Sequence, residues 1–91
     1  MDLQIDHLPE SGRFQVEVQG QLCVADYQLR GDTMLMTHTG VAPELQGHGI
    51  AAALVQAALD HARVKGFKVN PLCSYVRVYM RRHPETLSLL A

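Results

Sequence analysis

The chain has 91 residues, 47% of them apolar and 19% charged, with a net charge of −1; this is one small domain, residues 1–91, with a single core, and not a disordered chain. No apolar run reaches the roughly 18 residues of a membrane span, and the acidic start MDLQIDHLPE lacks the basic end and apolar stretch of a secretion signal, so a cytoplasmic protein without a membrane partner is expected. The charge is uneven, with two bases against eight acids in residues 1–60 and six bases against one acid in residues 61–91, so the C-terminal third can face an anion.

In chain order, residues 3–7 read as a brief strand before a turn at Pro9–Gly12. Phe14, Val16 and Val18 then alternate with Gln15, Glu17 and Gln19, the period of a half-buried strand. Gly20-Gln21 can turn the chain, residues 22–29 form a second strand, and Arg30-Gly31-Asp32 is a turn signal. Residues 33–41 form a third strand ending near Pro43. Such short connections imply an antiparallel meander.

The period changes at Ala51. Apolar residues recur at 51, 54, 55, 58, 59 and 62, while Gln56, Asp60 and Arg63 take the other face. That is an amphipathic helix of about four turns, and Gly66 suits its C-terminal cap. Residues 67–72 form a short strand. Ser74 can cap a second helix over residues 75–83, and Pro84 ends it and can start a final turn through residue 90. The fold class is therefore α+β (mixed α/β): an antiparallel meander, a β-α-β crossover and a C-terminal helix. The crossover is right-handed if strands 33–41 and 67–72 lie parallel in one sheet.

Between the meander and the long helix stands Gln46-Gly47-His48-Gly49-Ile50-Ala51. The first amides of a helix have no intrahelical partner, and its dipole favours negative charge there. Glycines keep side chains away and tolerate positive φ. The arrangement suits a phosphate or pyrophosphate; it equally suits a tight turn with no ligand. A P-loop is excluded, since no lysine follows the glycines. A dinucleotide fingerprint is matched formally, but the ribose-binding acid expected about 20 residues on is absent from Lys65-Gly66-Phe67-Lys68.

The Gln46–Ala51 segment resembles the Q/R-x-x-G-x-G/A motif of the GNAT acetyltransferase superfamily, and Val41-x-Pro43 resembles its lead-in. Residues 37–85, which hold THTGVAPELQGHGIAAALVQAALDHAR and VNPLCSYVRVYMRRHPE, are similar to the small, single-domain GNAT-like family with H-T-x-V and P-L-C-[SP]-[YF] blocks. The resemblance implies a minimal GNAT fold. It implies binding of acetyl-CoA or coenzyme A by the backbone near Val41 and by Gln46, Gly47, His48, Gly49, Ile50 and Ala51. It also implies transfer to an amine, on a small molecule or a protein lysine. Two features depart from the family: Gly40 stands where many relatives have an acid, and no long helical insert follows the first strand. A CoA-binding or protein-interaction module without catalysis is the alternative.

Three residues are candidates for the chemistry. Tyr79 sits where many GNAT proteins place a tyrosine that protonates the leaving thiolate; it reads equally as a packed aromatic. His38, on the strand leading to the motif, can serve as a base directly or through water, or can be packed. On strict alternation it shares a face with Met34, Met36 and Gly40. Cys73 precedes a helix N-terminus, a place that lowers a thiol's pKa; it is a nucleophile or a small apolar wall. Cys23 is read as buried, and both thiols as reduced. Arg81 and Arg82, following Tyr79, are candidate partners for the charges of coenzyme A. The five scattered histidines offer no metal cluster. Few aromatics and no overall basicity argue against nucleic acid. A monomer or weak dimer is expected.

Overall fold

The computed structural model describes residues 2–91. Five strands form one sheet in chain order: β1 (Asp6–Leu8), β2 (Arg13–Val18), β3 (Gln21–Arg30), β4 (Thr33–Gly40) and β5 (Lys68–Pro71). Neighbours are antiparallel except β4 and β5, which are parallel and joined by helix α1 (Ile50–Lys65). Helix α2 (Ser74–Arg82) follows β5, and 3-10 turns occupy Pro43–Leu45 and Pro84–Leu89.

Several boundaries differ from the sequence expectations. The first strand is Asp6–Leu8, later than residues 3–7, because it is defined by pairing with Arg13–Gln15; Leu3 and Ile5 pack against the core beside it. The β2–β3 turn is Gln19-Gly20, both at positive φ (52° and 75°), with Val18 paired to Gln21. Two-residue hairpin loops take this geometry because it matches the strand twist. Helix α2 begins at Ser74 and its N-cap is Cys73, one residue before the expected cap.

Phe14, Val16, Val18, Cys23, Ala25, Tyr27, Met34 and Met36 turn to one face and join α1 and α2 in one apolar core. Helix α1 contributes Ile50, Leu54, Val55, Ala58, Leu59 and Ala62, a stripe at helical spacing. At its end, the amides of Gly66 and Phe67 bond back to Arg63 and Ala62, a glycine-capped stop. Among the described residues no helix is long and apolar enough to cross a membrane.

One irregularity governs the site. Asp26 pairs with His38 but Tyr27 pairs with Met36, so Thr37 is an extra residue in β4. A bulge of this kind reverses the alternation beyond it. Met34 and Met36 face the core, as expected. Past the bulge Thr39 pairs with the core residue Ala25, and His38 is exposed. The expectation that His38 shares the face of Met34 and Met36 is thus overturned.

Candidate active site

Pairing between β4 and β5 stops at Met36 and Pro71, and the last bond across the gap is from the Cys73 amide to the Met36 carbonyl (2.9 Å). From Thr37 on, β4 has no β5 partner, and the edge is open. Beside it lies a cleft of about 360 Å³, lined by Thr39, Val41, Leu45, Gln46, Gly47, Gly49, Ile50, Ala51, Ala52 and Tyr75.

One wall is the glycine turn. Gly47 and Gly49 both adopt left-handed φ (85° and 78°), and a Cβ on either would project into open space. The first intrahelical bond of α1 runs from Ala53 to Gly49. The amides of Ile50, Ala51 and Ala52 therefore precede the ladder, no side chain caps them, and the first turn carries no acid. These are free donors at the positive end of a dipole. The Gln46 side chain donates to the Val41 carbonyl (3.2 Å), bracing the loop against the end of β4. The His48 side chain is exposed and lies outside the cleft lining, so its place in the turn is that of a backbone amide.

At the open edge, the Thr39 hydroxyl and the Cys73 thiol lie 3.7 Å apart. Cys73 is half-buried at the N-cap of α2. Burial raises its pKa, but the Val76 amide, the Thr39 hydroxyl and the Tyr75 amide all favour the thiolate, and the net shift is downward. No capping bond is closed to the neutral thiol; the amides act on the charged form.

His38 lies on the opposite face of β4. A Cβ at Gly40 would stand 3.1 Å from its Nε2 and 3.5 Å from Val24. The imidazole therefore occupies the space a side chain at position 40 would need.

The tyrosines divide differently from the sequence expectation. Tyr79 is 7% exposed, its hydroxyl donates to Gln56 on α1, and His83 stacks on it at 3.9 Å. It is packed between the helices and does not line the cleft. Tyr75, one turn earlier, does. Burial raises its pKa, and Arg82 opposes that rise. Arg82 is therefore near the cleft, whereas Arg81 lines a separate groove with Arg77. Consecutive residues on a helix point about 100° apart, so Arg81 and Arg82 cannot serve one ligand equally. Tyr75 and Thr39 are the residues that sequence reasoning missed. The first lay inside the P-L-C-[SP]-[YF] block, a usable signal; the second depended on the bulge. No group of three or more His, Cys, Asp or Glu among the described residues could hold a metal.

The family model for GCN5-related N-acetyl-transferases matches residues 13–89. The fold is similar to the NMR solution structure of a GCN5-like protein, itself a proposed N-acetyltransferase, from Staphylococcus aureus, with a TM-score of 0.79 at 23% identity over 98% of this chain and 88% of that one. The match over 13–89, with the glycine turn, the uncapped α1 and the split sheet edge, places the chain in the GCN5-related N-acetyltransferase family.

Proposed function

We propose that this protein binds acetyl-CoA and transfers its acetyl group to an amine. The observation that carries the reading is the free N-terminus of α1, opening through Gly47 and Gly49 onto a cleft that runs to the split between β4 and β5. The residues fit the ligand: Gly47 and Gly49 leave open approach, and the amides of Ile50, Ala51 and Ala52 suit pyrophosphate oxygens. Acetyl-CoA would supply an activated thioester. Arg82 gives long-range attraction to its negative charge.

The chain supplies three groups at the split. Cys73 on the cleft side is the candidate nucleophile, favoured as a thiolate by the helix amides. His38, on the other face of β4, is placed to take a proton from an incoming amine. Tyr75, lining the cleft, is the candidate donor to a leaving thiolate. A binding module without catalysis is favoured by one observation, that no carboxylate lines the cleft.

Titration with coenzyme A, followed by amide chemical shifts, tests the binding. Shifts concentrated at residues 47–52 and at Thr39 support it; shifts elsewhere refute it. Mass spectrometry after mixing with acetyl-CoA should show one added acetyl group, absent in Cys73→Ala. Full turnover by Cys73→Ala would mean direct attack by the amine. Binding without thiol release for any amine would favour the module.

A further inference from the structure

Among the described residues, the one ion pair joins Arg13 and Asp26. The six cations of residues 61–91 thus face no carboxylate partner. Arg63 and Lys68 bond to the carbonyls of Glu85 and Ser88 (both 3.1 Å), and Arg77 bonds to those of Pro71 and Leu72 (3.1 and 2.9 Å). Backbone carbonyls hold these side chains in place but leave their charge uncompensated.

Two of the cations border a second concavity. A groove of about 190 Å³ lies between α2 and the C-terminal turn, lined by Pro71, Arg77, Met80, Arg81, Leu87 and Leu90. Leu87 and Leu90 are 40% and 41% exposed, and Leu72 beside it is 52% exposed. The groove is apolar at its floor and cationic at its rim. It is separate from the cleft, because Arg77 and Arg81 lie across α2 from Tyr75 and Arg82. It is also next to the split: Arg77 holds the carbonyls of the two residues preceding Cys73.

We infer that the acetyl acceptor is an amine on an acidic, leucine-bearing peptide segment that seats in this groove. The inference rests on the acetyl-transfer reading above. A polyamine or a basic tail would meet unpaired guanidinium groups here, and like charges repel; a segment with Asp or Glu beside leucine would pair with both rim and floor. An extended peptide advances about 3.3 Å per residue, so a few residues carry a lysine from the groove to the split.

The test uses the full chain and three labelled peptides of equal length, each with one lysine. In the first the lysine is flanked by Glu and Leu, in the second Gln replaces every Glu, and in the third Ser replaces every Leu. By fluorescence anisotropy at low salt, the first should bind about tenfold tighter than either of the others, the scale of two charge-assisted surface contacts. Arg81→Gln, which breaks no hydrogen bond of the fold, should remove part of that preference, and the Arg77→Gln, Arg81→Gln pair most of it. Coenzyme A affinity should not change in either variant. In turnover the double variant should raise KM for the acidic peptide and leave kcat alone. Equal binding of the Glu and Gln peptides, indifference to both variants, or displacement of the peptide by anionic phospholipid vesicles overturns the inference. A chain that binds the acidic peptide but not coenzyme A would overturn acetyl transfer, and the acceptor role with it.

Discussion

Gly49 and Cys73 show how single residues serve the site in opposite ways, one by lacking a side chain and one by placing it. Gly49 holds φ 78° with open space around it. A side chain there strains the left-handed backbone by about 1–2 kcal/mol and stands where a ligand would approach the α1 amides. Gly49→Val should therefore stay folded, with a melting temperature lowered by roughly 4–8 °C per kcal/mol, and lose coenzyme A binding. Unchanged affinity by calorimetry would remove the glycine turn from the site. Cys73 is half-buried and held towards the thiolate, whereas Cys23 is fully buried in the core. Iodoacetamide should modify Cys73 much faster than Cys23, with a pH midpoint below that of an ordinary thiol, and bound coenzyme A should slow the reaction. Peptide mapping would show the order, and equal rates at the two cysteines would refute it.

Helix α2 presents three faces, and its docking decides what each one does. Val76, Tyr79 and Met80 are buried, so Tyr75 and Arg82 turn towards the cleft while Arg77 and Arg81 turn to the groove. The two tyrosines should separate cleanly under substitution. Tyr75→Phe should lower the acetyl-transfer rate by about 10²-fold or more if its hydroxyl is the proton donor, with little loss of stability. Tyr79→Phe breaks the bond to Gln56 and should cost about 1 kcal/mol of stability while leaving the rate nearly unchanged. Steady-state rates and thermal melts of both variants check this, and a reversed pattern would return the chemistry to Tyr79.

The far edge of the sheet carries a histidine pair with a consequence for the whole fold. His7 on β1 stacks on Phe14 at 4.1 Å, meets His61 of α1 at 4.4 Å, and lies 2.5 Å from the Tyr27 hydroxyl. Burial lowers the pKa of His7, with the positive potentials of His61 and Lys65 adding to it; burial and then Lys65 lower that of His61. No carboxylate contributes to either shift. The unfolded chain therefore takes up protons first as the pH falls below the ordinary value of 6.5. Stability present above that pH is lost as the pH drops through the folded-state values. The melting temperature should fall between pH 7.5 and 5, and His61→Gln should flatten the dependence; an equally steep profile in that variant would exclude the pair as its source.

Much of this was legible in the chain before any fold was known. The alternation of Phe14, Val16 and Val18, the recurrence from Ala51 to Ala62, and Gly66 after Lys65 determined the order of elements, because periodicity and capping are local properties. The glycine pair ahead of an alanine-rich helix marked the binding turn for the same reason. The bulge at Thr37 was not legible: it depends on which β3 residue pairs with which β4 residue, and it moved His38 off the core face and Thr39 onto it. Nor could spacing alone choose between Tyr75 and Tyr79, which lie one turn apart. That choice was made when α2 buried Val76, Tyr79 and Met80 against α1, turning Tyr75 to the open edge of β4.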